Sequence, residues 1–542
     1  MKIKILILSL VLIPVILFSQ EKNEPKLVVG IVVDQMRYDY LEKFYDDFSE
    51  NGFKKLINDG SNFTNCKINY VPTVTGAGHA SIYTGTTPYY HGIITNDWKD
   101  RNTGDNINCV TAINNYEGKV GEGISIDRSP ERLLSTTIGD QIKLNNFGKS
   151  KVISISLKDR AAMLPAGKSA DAAYWFDDKT GRFITSFYYL KELPSWVTNF
   201  NNSGKVNSYL DKDWNLLKPI DAYKDLPEDN SPYETDVFNE GRTSFPHTLN
   251  NVKEEDKISK MTHTPNGNQI IIDFVKEALA NENLGKGKYL DHLAISFSSP
   301  DKIGHDYGPQ SYEVKDTYLR LDLQIAELLN MLEAQVGKGN FILFLTADHG
   351  VMPNTKHLND MKIDAGVLEN TNYFEELEDF LLEKYQSNKI IKTRFSYNIY
   401  LDFDEIEKLK LNRAEVENTI KDFLIFNVPE ITEVYTRSEL DKMTASRSTH
   451  NFLLNGFNKK RSGDILFSLQ AYYLNWKRDL GATHGSEHEY DNHIPLIFYG
   501  NDIRVQRKNE EVYIEDIAPT ITDFIGINKP SDSIGIPLLK KN

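Results

Sequence analysis

Lys26–Asp34 reads KLVVGIVVD. An unbroken run rich in β-branched residues, with no polar residue at alternate positions, suits a strand buried on both faces of a parallel sheet. Lys151–Leu157 (KVISISL), Leu290–Ser298 (LDHLAISFS) and Asn340–Ala347 (NFILFLTA) repeat the pattern. Each is followed at once by polar residues able to do chemistry. Between the last two, Tyr312–Val336 carries apolar residues at helical spacing. This alternation predicts an α/β fold, an open and mostly parallel sheet flanked by helices. Such sheets bind ligands beyond the carboxyl ends of their strands.

Farther out, His493–Gly500 (HIPLIFYG) reads as another core strand and Ile514–Ile525 as a final helix. Two stretches break the pattern. Trp175–Thr262 is rich in Asn, Asp, Pro, Ser and Tyr and reads as an irregular insertion. Asn370–Ala471 mixes amphipathic helices, Phe374–Tyr385 and Arg413–Leu424, with short strands. Residues 21–542 therefore read as one catalytic unit with insertions at about 175–262 and 370–471, which form a smaller cap or subdomain.

Residues 1–20 are a separate object. Lys2 and Lys4 precede an apolar run from Ile5 to Phe18. The run is short of the roughly 20 residues that span a bilayer and has the layout of a secretory signal. Cleavage near Ser19 or Gln20 predicts a periplasmic or secreted chain with no stable membrane anchor. The alternative is an uncleaved N-terminal anchor. The chain holds 62 Lys and Arg against 77 Asp and Glu, a net charge of −15, and no basic block. Duplex nucleic acid is a poor partner for such a chain. Only Cys66 and Cys109 are present, either as an exported disulfide or as two buried thiols, and neither has metal-ligand spacing.

The chemistry gathers at the strand ends. The first strand ends at Asp34. Another runs into Ser-Ser-Pro-Asp301, with His305 four residues on. A third ends in Asp348-His349, and ATHGS later supplies His484. One aspartate at a strand end is more often a turn former. Three carboxylates and three histidines at successive ends point instead to metal, and zinc takes imidazole and carboxylate ligands. Six ligands suffice for two ions, each with an open position. The remaining histidines read as structural or surface residues, with His488 the one most expected to support a ligand.

Pro72–Gly85 (PTVTGAGHASIYTG) places Thr73 and Thr75 at the start of a helix. Either threonine could cap the helix. A hydroxyl there could also act as a nucleophile in the anion-attracting field of the helix N-terminus. Asn96 follows HGIITN as a donor to an anion or a loop cap. Lys158 and Arg160 in SLKDRAA, read as extended chain, point the same way and could converge on one anion.

Together these residues resemble the alkaline phosphatase superfamily, above all its secreted PafA-type alkaline phosphatases. Nucleotide pyrophosphatase/phosphodiesterases are cousins. The resemblance rests on VVDQMRYDY from Val32, PTVTGAGHASIYTG, HGIITNDW, SLKDRAA, SSPDKIGHDYGP, TADHGV and ATHGS, in that order. It implies two Zn²⁺ per chain, one held by Asp34, Asp348 and His349 and contacting Thr75. The other is held by Asp301, His305 and His484. Thr75 is preferred to Thr73 because the family pattern places a histidine four residues beyond the nucleophile, and His79 fits. Asn96, Lys158 and Arg160 match the phosphate-contacting residues. Some members of the superfamily carry a third, magnesium site; its ligands are not evident here, and Lys158 supplies a comparable charge.

The implied activity is hydrolysis of phosphate monoesters with broad leaving-group tolerance through a phosphothreonine, by a monomer. The Lys-x-Arg pair favours a monoester over a diester, because only the monoester offers the extra non-bridging oxygens. The alternatives are a phosphodiesterase or nucleotide pyrophosphatase of the same superfamily, and a non-catalytic phosphate-binding protein. Thr75-Gly-Ala-Gly does not fit the C/S-x-P-x-R pattern of sulfatases.

Overall fold

The computed structural model describes residues 24–114, 119–122, 127–447, 451–475 and 480–540. The leader at 1–20 and His450 lie outside the described residues.

The KLVVGIVVD stretch forms β1 (Leu27–Val33), whose seven residues are all buried. The sheet also contains β2 (Ser61–Lys67), β3 (Val152–Ser156), β4 (Ala172–Asp177), β5 (Arg182–Ser186), β6 (Asp291–Phe297), β7 (Phe341–Thr346) and β8 (His493–Gly500). Their spatial order is β2-β8-β7-β1-β6-β3-β4-β5. Short strands beside β2 and β5 bring the sheet to eleven. The five central strands are mutually parallel. Helices, among them Asn266–Asn281 and Tyr312–Val336, flank the sheet. The chain is thus mixed α/β, as the alternation predicts.

Register decides where the chemistry emerges. Val32 stands opposite Thr346 of β7 and Ser296 of β6, and Ser296 stands opposite Ser156 of β3. The four strands therefore end level, and Asp34, Asp348, the Ser298–Asp301 turn and Lys158 leave by one edge. β8 runs antiparallel to β7. Its amino end lies at that same edge, so the residues before His493, His484 included, also enter it.

Tyr312–Val336 forms a helix over the span its spacing predicts; Ser311 accepts the Val314 N–H as its cap. The final helix starts later than its periodicity suggests. Ile514–Asp516 is a 3₁₀ turn and the α-helix runs Ile517–Phe524. The irregular stretch begins inside β4: Trp175 pairs with Ile184 of β5, and this hairpin extends the central sheet. Beyond Ser186 come short helical turns such as Ser195–Asn201 and Ile220–Tyr223. Within 370–471 lies a four-stranded antiparallel sheet of Ile391–Phe395, Asn398–Leu401, Ile465–Leu469 and Ile431–Thr436. Helices Tyr373–Tyr385 and Arg413–Asn427 share with it a separate apolar core that includes Leu377, Ile399, Ile420 and Phe467. Cys66 and Cys109 are buried free thiols. Among the described residues, no helix is long and apolar enough to cross a membrane.

Candidate active site

Three helices start at the carboxyl edge: α1 (Thr75–Thr84), α2 (Asp159–Ala166) and α3 (Ser299–Tyr307). α1 lies close against the sheet because two glycines lack a Cβ. A Cβ on Gly30 of β1 would overlap the Tyr83 hydroxyl, and one on Gly78 would overlap the Asp348 carbonyl. Close approach of this kind is what glycine permits. It sets the buried Thr75, first residue of α1, beside the end of β7.

The N-cap residue of α1 is Val74, so neither threonine is the N-cap that sequence reading allows. Thr73 is a structural tie. Its hydroxyl donates to Ser486 O at 2.8 Å, and its carbonyl accepts from His484 Nδ1 at 2.7 Å. Asn96 Oδ1 accepts the Gly76 N–H at 2.7 Å, which leaves its NH₂ as a donor. Asn96 and His484 also line a cleft of about 420 Å³ with Val74, Tyr397 and Leu474.

Asp301 and His305 sit at i and i+4 on α3, one face of one turn. His305 Nε2 is 3.2 Å, and His484 Nε2 3.6 Å, from Asp301 Oδ1. On the other side His349 Nε2 lies 3.4 Å from Asp34 Oδ1 and 3.7 Å from Asp348 Oδ2. Ligand atoms gather within 4.8 Å of one another in two groups, Asp301–His305–His484 and Asp34–Asp301–His349. Asp301 belongs to both because Lys158 Nζ donates to Asp34 Oδ2 at 2.7 Å and to Asp301 Oδ2 at 2.5 Å.

The donor set fits metal. His305, His349 and His484 each direct Nδ1 to a backbone carbonyl, of Ala482, Gly350 and Thr73. With Nδ1–H donating, the Nε2 lone pair is free to ligate. Asp34 Oδ1, Asp348 Oδ2 and His349 Nε2 are buried without a hydrogen-bond partner, an expensive state for a protein to leave uncompensated. Electrostatics agree. Burial, with Asp301 and Asp348 nearby, pushes the Asp34 carboxyl well above the usual range. Burial also opposes ionisation of Asp301 and Asp348. At Asp301 the neighbouring His305 imidazole and Lys158 ammonium outweigh it, and at Asp348 the His349 and His79 imidazoles do, so both are held low. Burial and the neighbouring imidazoles keep His484 neutral, the form that binds metal. A cation there would offset the burial and the like charges that push the Asp34 carboxyl up.

Lys158 lies on extended chain as the sequence suggests, but Arg160 does not. Lys158 is the N-cap residue of α2 and Arg160 stands in its first turn. The turn forms because Asp159 accepts the Arg160 N–H at 2.7 Å and pairs with Arg128 Nε at 2.6 Å. Arg160 Nε is buried without a hydrogen-bond partner, and the Asp159 carboxylate lies 4.0 Å from the guanidinium. Two supporting residues escape the sequence reading. His79 lies 3.1 Å from Asp348 Oδ2 and 2.9 Å from both Thr75 O and Ser296 Oγ. It takes the role expected of His488, whose Nε2 instead meets Leu469 O. Asp491 accepts from Gly485 N, Ser486 N and Ser486 Oγ, and so fixes the loop that carries His484.

Residues 28–491 match the family model described as type I phosphodiesterase / nucleotide pyrophosphatase. A Myroides odoratus protein named a calcium-transporting ATPase is 41% identical over 527 residues, covering 96% of both chains. Alkaline phosphatase PafA of Elizabethkingia meningoseptica is 37% identical over 540 residues, covering 98% of both. A wild-type PafA crystal structure superposes with a TM-score of 0.89 at 38% identity, over 95% of this chain and 98% of that one. A PafA variant with a threonine, an asparagine, a lysine and an arginine substituted gives 0.88 at 37%, with the same coverage.

Proposed function

This chain belongs to the type I phosphodiesterase / nucleotide pyrophosphatase family, within the alkaline phosphatase superfamily, and we propose that it is an exported, zinc-dependent phosphomonoesterase that works through a phosphothreonine at Thr75. The observation that carries this reading is the donor set. Three imidazoles offer Nε2 beside buried carboxylates, among them Asp34, whose Oδ1 has no hydrogen-bond partner.

Asp34, Asp348 and His349 would hold one zinc ion, and Asp301, His305 and His484 the other. Bound there, such ions lower the pKa of a hydroxyl and neutralise charge on the attacking and leaving oxygens. The chain's own residues do the rest. Lys158, Arg160 and the Asn96 NH₂ hold the non-bridging oxygens, Arg160 through two N–H groups and Lys158 as a point charge. The N-terminal amides of α1 add a favourable field. Thr75 Oγ bonds to phosphorus as the ester P–O bond breaks and the alcohol leaves. Water then attacks phosphorus, the Oγ–P bond breaks, and phosphate departs. Two in-line displacements give net retention. The transition state is loose, so positioning and charge neutralisation supply most of the rate.

Further support comes from the PafA variant. Its four substituted residues match Thr75, Asn96, Lys158 and Arg160 in type, order and spacing. The name of the Myroides relative adds ATP as a candidate phosphoryl donor, since its terminal phosphate also offers three non-bridging oxygens to the clamp. The leader at 1–20 supports export to the periplasm or medium.

The test is the ratio of kcat/KM for p-nitrophenyl phosphate to that for bis-p-nitrophenyl phosphate. It uses the zinc-loaded mature protein at alkaline pH, with Lys158→Ala and Arg160→Ala alongside. A monoester preference that collapses in both variants supports the reading. A diester preference indifferent to both residues moves the chain to the phosphodiesterases.

A further inference from the structure

Gln35 follows Asp34 directly and adopts φ = 65°, in the left-handed region. Glycine reaches that region freely, whereas other residues hold it only where surrounding contacts impose it, commonly at functional sites. Those contacts are specific here. Gln35 is 2% exposed. Its N–H donates to Asp348 Oδ1 at 3.1 Å. Its side-chain Nε2 donates to Asp301 Oδ1 at 2.8 Å, and a longer contact at 3.4 Å reaches Asp301 O. Its Oε1 packs on Gly304 so closely that a Cβ there would overlap it. Gly304 lies in α3 between Asp301 and His305.

We propose that Gln35 is a positioning residue that fixes Asp301 against Asp348, and with them the spacing of the two metal half-sites. This rests on the two-metal reading above. Lys158 holds Asp301 Oδ2 and Gln35 holds Asp301 Oδ1, so each oxygen of that carboxylate has a donor. Oδ1 keeps a second lone pair towards His305 and His484 Nε2. The two arms of Gln35 are separable. The side-chain arm serves Asp301, and the backbone arm serves Asp348 whatever the side chain. Loss of the amide therefore weakens the Asp301–His305–His484 site more than the other, where Asp348 keeps its backbone donor.

Gln35→Met keeps the packing volume and removes the donor; Gln35→Ala removes both. The metal-free proteins are titrated with zinc against a chromophoric chelator, and their melting temperatures are recorded. Hydrogen-bonded supports of metal ligands are worth about 10–100-fold in metal affinity. Gln35→Met is expected to lose about that factor at one of two sites, with the other within about threefold. Its metal-free melting temperature is expected to match wild type. Wild-type affinity at both sites in Gln35→Met overturns the proposal. So does an equal loss at both sites, or a loss that merely follows a lowered metal-free melting temperature. If Gln35→Ala does not fold, Gln35→Met alone decides. A wild-type protein that binds fewer than two zinc ions, or hydrolyses no monoester, overturns the underlying reading instead.

Discussion

The imidazoles of His349 and His484 lie face to face, with centroids 3.6 Å apart and planes inclined by 14°. They belong to different ligand groups, so the stack is a direct contact between the two half-sites. Their Nε2 atoms point to different carboxylates, Asp34 and Asp301.

His484→Ala is therefore expected to release one zinc ion on dialysis and retain the other. Activity on p-nitrophenyl phosphate should fall by at least ~100-fold, as expected when a metal that stabilises transition-state charge is lost. Metal analysis after dialysis checks it. Loss of both ions would mean that the sites fill as one unit.

Thr75→Ala is expected to lower kcat by at least ~10³-fold, the scale seen when a nucleophile is removed. Zinc content should not change. Thr75→Ser keeps a hydroxyl at the start of α1 and should lose far less. Acid quenching with labelled substrate should trap phosphate on the wild-type chain and none on Thr75→Ala.

Gly78→Ala drives a methyl group into the backbone of Asp348. Overpacking of this kind costs about 1–3 kcal/mol. Here it also shifts Thr75 relative to Asp348, so activity should fall more steeply than stability. Gly287→Ala is the control, because a Cβ there meets nothing closer than 3.9 Å. Denaturant melts and kcat measured together separate the two effects.

Two buried histidines set an acid limit. Burial lowers His91 to about 3 and His292 to about 4. His91 accepts the Ile93 N–H on Nδ1, and His292 Nδ1 faces Val28 O, so both are neutral in the fold. The unfolded chain takes up these protons near pH 6.5. Their contribution to stability is complete above about 6.5 and is lost as pH falls, until about 4 for His292 and about 3 for His91. Each costs about 1.4 kcal/mol per pH unit within its window. Unfolding free energy against pH should show this slope, and His91→Gln should remove about one proton's share.

The strand ends were legible because their signals are local. Asp34 closes KLVVGIVVD, and Asp348-His349 closes NFILFLTA, within a few residues of an unambiguous apolar run. Lys158 is extended, as the sequence suggests, but Arg160 reads as extended chain and lies in a helix. Asp159 turns the backbone into α2 between them, and nothing in KVISISL announces where the strand stops. The supports were harder still. Gln35 meets Asp348 and Asp301 only once the register levels β1, β6 and β7. His79 carried a signal, four residues beyond Thr75, but its contact with Asp348 depends on the bare surface of Gly78. Asp491 resembles any aspartate at the start of a strand until the His484 loop folds over it.

Lys158 Nζ rests between Asp34 and Asp301. An ion in that place would be in equilibrium with the surroundings, and its occupancy would follow their supply. An ammonium group on the chain has no dissociation constant. If the protein works outside the cell, its third positive charge is copied with the polypeptide, and neither dilution nor a chelator in the medium can remove it.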